Sequence, residues 1–234
     1  RMEDCLEILT AFREHITLNA FEFFSHNALE SVVSQSDLES PFATPSTFYV
    51  LLEFENPGEQ ALADALTAFE RCTSQGWVTD GIVASSESQN LSLWQYRERI
   101  SESITPRTPY KNDIAVRISQ VPEFLHEVEQ LVGISYPDFE IVWFGHIGDG
   151  NLHLNILKPA EMLADQFKKQ CEQVSESILA VVQEFGGSVS AEHGIGLMKK
   201  GQLHFSRSEE EIASLRLIKT IFDPDGIMNP GKLL

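Results

Sequence analysis

Between Glu140 and Leu157 the chain reads EIVWFGHIGDGNLHLNIL, and no other segment constrains the fold as strongly. Val142 and Phe144, then Leu152, Leu154 and Ile156, alternate as strands do, and the Gly148-Asp149-Gly150-Asn151 tetrad between them suits a hairpin turn. With Gly148 to Asn151 as the loop, His146 and His153 become cross-strand neighbours, with Cβ atoms about 4.5–5.5 Å apart. Two imidazoles at that separation can converge on one metal ion at about 2.0–2.1 Å each. Asn155 shares the face of His153, while Leu152, Leu154 and Ile156 turn to the core. A lone strand histidine is ordinarily a core or surface residue with a satisfied hydrogen bond. Two at hairpin register, with Glu192-His193 arriving downstream, favour a ligand cluster instead. Gly148 and Gly150 need serve only the turn.

The rest of the chain alternates helix and strand signals. Helical spacing marks Met2 to His15, Ala28 to Val33, Glu59 to Ser74, Glu87 to Ile104, Val121 to Val132, Ala160 to Phe185 and Ser208 to Phe222. Strand character marks Leu18 to Phe24, Thr47 to Phe54, Trp77 to Ala84, Asp113 to Ile118 and Ser188 to Ala191. Ser34 to Ser46 reads as loop, and Ser208 with Glu211 forms a capping box. This order predicts an α+β fold, with antiparallel sheet covered by helices on one side.

Composition excludes several classes. A formal charge of -18 argues against nonspecific nucleic-acid binding and against an anionic membrane surface. Any site for a dicarboxylate would need local cations or a metal inside that repulsive field. Three scattered cysteines, Cys5, Cys72 and Cys171, fit the cytoplasm or another reducing compartment. No run of about 20 apolar residues predicts a transmembrane helix. There is no signal-peptide pattern, and Arg1 opens inside a helical pattern, as in a piece cut from a longer chain. Neither a G-x-G-x-x-G after a strand nor a P-loop is present to cradle a phosphate.

Three late motifs carry a family resemblance: Phe144 to Asn155, Gly187-Ser-Val-Ser-Ala-Glu-His-Gly-Ile-Gly196, and Phe222-Asp-Pro-Asp-Gly-Ile-Met-Asn-Pro-Gly-Lys232. Together they resemble the C-terminal half of the FAD-linked oxidases that act on D-2-hydroxy acids. Val78-Thr-Asp-Gly81 and Leu93-Trp-Gln-Tyr-Arg-Glu-Arg-Ile-Ser101 look closest to the D-2-hydroxyglutarate dehydrogenase branch, while the D-lactate and glycolate branches share the later motifs. The resemblance runs from about Leu18 to Leu234. It implies a ferredoxin-like α+β fold, FAD held mostly by a separate FAD-binding domain, and a small-molecule 2-hydroxy acid as substrate. It further implies a substrate-binding cap over residues 1–200 and a C-terminal helical segment over 201–234 that packs towards the FAD-binding domain. The electron acceptor is not identified by any motif.

Oxidising a 2-hydroxy acid through a flavin requires a base, a cationic hold on the carboxylate and an aimed α-hydrogen. His193 is the candidate base, since an imidazole titrates near working pH. Glu192, on the other side of an extended backbone, would join His146 and His153 as a two-His-one-carboxylate metal set with open positions. Zn2+, Mn2+ and Fe2+ all suit such donors, and the resemblance favours Zn2+. Arg97 by itself reads as an ordinary surface arginine. By the resemblance, Arg97, Ser101, Lys111 and Asn155 match substrate-carboxylate contacts, with Ser101 where the branch has threonine and Asn112 where it has an aromatic residue. Asn229 matches a position near the flavin, or else serves as a turn residue before Pro230. A metal hydrolase built on His146, His153 and Glu192 is the competing class; it would need a carboxylate base beside the metal water, and Asp149 is available but belongs to the turn. A purely structural metal site is disfavoured because such sites prefer closed, Cys-rich sets.

Overall fold

The computed structural model describes residues 1–234. Its centre is a five-stranded, wholly antiparallel sheet: β1 (Leu18–Ser25), β2 (Phe48–Phe54), β3 (Tyr110–Ala115), β4 (Glu140–Gly145) and β5 (Asn151–Leu157), in the order β2-β1-β4-β5-β3. The connection from β3 through α6 (Val121–Ser135) to β4 leaves a gap that β5 fills, and α7 (Ala164–Glu184) then returns to the far edge of β3. That is a split β-α-β unit, the ferredoxin-like half of the fold. Its last strand is reduced to one bridge, Ala115 with Ser188. Beyond Ser188 the backbone donors go to side chains: the Val189 N–H to Ser206 Oγ at 2.8 Å and the Ser190 N–H to Ser188 Oγ at 3.3 Å. The strand expected over Ser188 to Ala191 therefore stops after one residue.

Alternation along the strands sends neighbouring side chains to opposite faces. Phe23, Trp143, Leu152, Leu154 and Ile156 enter the main core with α1 (Met2–Arg13), α3 (Glu59–Ser74), α6 and α7. Phe24, Tyr49, Val142, Phe144 and Leu157 enter a second, smaller core under α2 (His26–Ser34) and α5 (Ile100–Ser103). The sheet is thus covered on both faces, and the expectation of helices on one side only is corrected. A polar end remains on the second face, and it holds the site described below.

Two further expectations change. Trp77 to Ala84 forms no strand. Trp77 and Val78 satisfy their hydrophobicity by packing on the main core, and the Gly81 N–H turns onto Asp80 Oδ1 at 2.8 Å, which bends the chain away from extension. The helix from Glu87 is divided at Arg99 into α4 (Glu87–Glu98) and α5. The last helix, α8 (Glu209–Phe222), carries the expected Ser208–Glu211 capping box but buries no residue; Leu217, Ile218, Ile221 and Phe222 are all exposed. No helix is long and apolar enough to cross a membrane.

Candidate active site

The polar end of the second face is assembled from six segments. Glu22 comes from β1, Asp113 from β3, His146 from the turn after β4 and His153 from β5. Arg97 comes from the end of α4, and Glu192 and His193 from the loop after the Ser188 bridge. His153 lies directly opposite Phe144 in the sheet, so His146 is its diagonal rather than its direct neighbour. The turn runs over His146 to Gly150, and the register moves by two residues from that expected. A shift of two preserves which face each side chain takes. The imidazole centroids still approach to 5.4 Å. Gly150 adopts φ +79, and a Cβ there would overlap the Val116 carbonyl oxygen, so the turn requires glycine.

Each histidine is backed by a buried carboxylate. His146 Nδ1–H donates to Glu22 Oε1 at 2.7 Å, and His153 Nδ1 lies 3.4 Å from Asp113 Oδ1. Both Nε2 atoms then face Glu192, at 3.8 Å from its two carboxylate oxygens. Carboxylate-backed imidazoles with free Nε2 atoms are the arrangement of metal-ligating histidines. The ligand atoms of His146, His153 and Glu192 lie within 4.8 Å of one another, and Glu192 is half exposed, free to close the remaining distance. The residues present therefore fit a divalent cation with nitrogen and oxygen donors.

Asp113 organises the other side. It accepts from Asn151 Nδ2 at 2.8 Å and from the backbone N–H groups of Glu192 and His193 at 3.1 and 3.2 Å. Burial opposes its charge, but the contacts with His153, Asn151 and the His193 N–H outweigh that and hold the carboxyl far below the usual carboxylate range. His193 Nδ1 stands 3.6 Å from Asp113 Oδ2, and its exposed ring points Nε2 towards the centre of the site, 3.4 Å from Glu192 Oε1. Lys199, whose burial pushes its pKa down, ties the loop to the sheet by donating to the carbonyls of Asp113 and Val189 at 3.0 and 2.7 Å.

Arg97 is buried, not a surface arginine. Its Nε donates to Glu22 Oε2 at 2.9 Å, and its guanidinium lies 4.8 Å over the Phe144 ring. Burial lowers its pKa, and Glu22 opposes that. The Nη groups hold no protein hydrogen bond and stay available to an anion. Lys111 Nζ donates to Ser101 Oγ at 2.7 Å, which brings these two expected substrate residues together. Asn155 pairs with Lys111 across the strands, yet it is 2% exposed and its Nδ2 is spent on the carbonyls of Val142 and His153. Asn229 stands apart, exposed in the C-terminal tail with φ +46, where Lys232 Nζ donates to its side chain at 3.2 Å. That tail reaches the site loop through the Leu233 N–H to Gly196 carbonyl bond at 3.0 Å. Asp149 accepts from the Asn151 N–H in its own turn, which weakens the hydrolase alternative by occupying its base.

Glu22, Asp113 and Lys199 were not singled out by sequence reasoning. For Glu22 the only signal is a carboxylate amid Ala20, Phe21, Phe23 and Phe24; for Asp113 it is an acid in a strand.

The family model described as "FAD linked oxidases, C-terminal domain" matches residues 1–233. The chain is 52% identical over 231 residues to the D-2-hydroxyglutarate dehydrogenase of Stutzerimonas stutzeri, covering 99% of this chain and 50% of that protein. It is 49% identical over 228 residues to the enzyme of the same name from Xanthomonas citri pv. viticola, covering 97% and 48%. It therefore spans about half the length of these relatives. Among solved structures, 4-ethylphenol oxidase from Gulosibacter chungangensis aligns with TM-score 0.62 at 14% identity, over 100% of this chain and 51% of that one. This likeness concerns the fold alone.

Proposed function

This chain belongs to the FAD-linked oxidases through their C-terminal domain, and we propose that it forms the substrate-binding half of a dehydrogenase for D-2-hydroxy acids, D-2-hydroxyglutarate first. The observation that carries the reading is one sheet face on which an arginine with free Nη groups, a lysine–serine pair and a carboxylate-backed imidazole cluster lie together. Two cationic points suit two carboxylates, and the imidazole cluster suits the hydroxyl between them.

Arg97 would grip the carboxylate next to the hydroxyl through its Nη fork. Lys111, steadied by Ser101, would take the distal carboxylate. Asn155, paired with Lys111 across the strands, would offer its amide oxygen beside it. His193 would remove the hydroxyl proton at Nε2 while Nδ1–H faces the anionic Asp113, whose negative charge stabilises the imidazolium that forms. His146, His153 and Glu192 would hold a divalent cation, Zn2+ by the family resemblance, which when bound would polarise the hydroxyl and lower its pKa. FAD, when bound, would supply the acceptor for the α-hydrogen as hydride. This chain offers no seat for its pyrophosphate, so most of the cofactor would rest on the other half of the protein. The exposed apolar face of α8 and the Asn229 tail are the surfaces we assign to that half, with residues 1–200 as the cap and 201–234 as the docking segment. Three free, buried cysteines suit a reducing compartment.

Anaerobic mixing of the full-length protein with D-2-hydroxyglutarate, D-lactate and glycolate tests the assignment. Flavin bleaching is expected with D-2-hydroxyglutarate fastest. A flavin that stays oxidised with every D-2-hydroxy acid would refute the reading.

A further inference from the structure

Glu22 is 4% exposed and spends both oxygens: Oε1 accepts from His146 Nδ1–H at 2.7 Å and Oε2 from Arg97 Nε at 2.9 Å. We infer that Glu22 is a positioning residue that locks His146 in the Nε2-ligating tautomer, and that Arg97 dictates how position 22 must present its acceptors. The inference rests on the metal reading above.

The argument is one of donor and acceptor inventory. Arginine is donor-only, so whatever stands at position 22 must turn an acceptor to Arg97. Glutamate has a second acceptor left, and it fixes the proton of His146 on Nδ1. That leaves the Nε2 lone pair directed towards Glu192. A glutamine has one acceptor oxygen and one NH2 group. With its oxygen claimed by Arg97, it would present NH2 to His146 Nδ1, which then becomes an acceptor and moves the ring proton to Nε2. A protonated Nε2 cannot ligate. The substitution therefore does more than remove a charge: it selects the wrong tautomer.

The test reads Zn2+ affinity of the full-length protein by competition with a chromophoric chelator, without substrate. Wild type is expected to bind Zn2+, and His146→Ala to lose most of it. Glu22→Gln should weaken Zn2+ binding by about 10–100-fold, the scale of a lost outer-shell partner. Adding Arg97→Met to Glu22→Gln should recover most of that loss, because the glutamine oxygen becomes free to accept from His146 Nδ1–H. A residue that merely supported the fold would show no such recovery. Glu22→Leu with Arg97→Met, which has no acceptor at all, should stay weak.

Wild-type affinity in Glu22→Gln, or a double variant no better than the single one, overturns the inference while leaving the metal site standing. If Glu22→Gln does not fold, the two double variants decide: equal Zn2+ affinity for Glu22→Gln and Glu22→Leu in the Arg97→Met background overturns it. A wild type that takes up no Zn2+ removes the metal reading itself, and this inference with it.

Discussion

Replacing Asp113 by asparagine should be a strongly destabilising isosteric change. The carboxylate accepts from Asn151 Nδ2 at 2.8 Å, from the N–H groups of Glu192 and His193 at 3.1 and 3.2 Å, and faces His153 Nδ1 at 3.4 Å. One oxygen therefore serves the loop and the other serves the sheet. An asparagine can serve only one side, and its NH2 would meet donors on the other. Losing two bonds to a charged acceptor, at about 1.5–3 kcal/mol each, gives about 3–6 kcal/mol. Asn151 Oδ1 is buried without a partner, but Asn151 Nδ2 also donates to the Ile114 carbonyl at 3.1 Å, so rotating that amide would exchange one lost bond for another. The expectation is therefore a loss of about 3 kcal/mol or more. Urea unfolding of the apo protein at pH 7 measures it directly. The sign with pH follows from the depressed carboxyl. Its contribution is complete above the unfolded value of about 3.9 and is lost only as pH falls through the lower folded value. The share of the gap that comes from the carboxyl's own titration should thus narrow only in acid below the unfolded value of about 3.9. A loss under about 1 kcal/mol at pH 7, the size of an ordinary net hydrogen bond, would refute the hub role.

Other perturbations separate the roles on the same face. His193→Ala should slow flavin reduction for every substrate, by about 10²–10⁴-fold as a lost general base does, with Zn2+ content unchanged; stopped-flow reduction at wild-type speed would remove it as the base. Lys111→Ala should lower kcat/KM for D-2-hydroxyglutarate by about 10-fold or more, the scale of a lost charged contact, and spare D-lactate, which has no distal carboxylate. Equal losses on both substrates would place Lys111 elsewhere. Gly150→Ala should destabilise the chain by about 1–3 kcal/mol through left-handed strain and the clash with the Val116 carbonyl, visible as an earlier urea midpoint; an unchanged midpoint would contradict the turn geometry.

Local periodicity carried much of the fold. The apolar stripes of α1, α3 and α7 and the alternation of β4 and β5 are all written in neighbouring residues. Register was not, because loop length depends on which residue first leaves the ladder. The two-residue slide nevertheless kept parity, so His146 and His153 remained on one face. Arg97 misled for a different reason. Its neighbours Leu93 to Tyr96 on α4 are only half-buried, and the long-range partners Glu22 on β1 and Phe144 on β4 draw it inward. Glu22 itself sits at a strand position that alternation assigns to an outer face. Its burial comes from a helix laid across that face from 75 residues away, and the apolar run around Glu22 does not name that partner. Trp77 to Ala84 shows the converse: a strand-like pattern in which Trp77 and Val78 found a core without a partner strand, while Ile82 and Val83 stay exposed.

The unburied face of α8 sets how this chain should behave in bulk solution. Leu217, Ile218, Ile221 and Phe222 form a surface that would gain from meeting its own copy. A formal charge of -18 pushes such copies apart. Repulsion between exposed charges reaches only about 10 Å at 0.1 M ionic strength and about 3 Å at 1 M, whereas apolar attraction is not screened. Residues 1–234 alone should therefore stay dispersed in dilute buffer and self-associate as salt is added, a colloidal response opposite to that of chains joined by ion pairs.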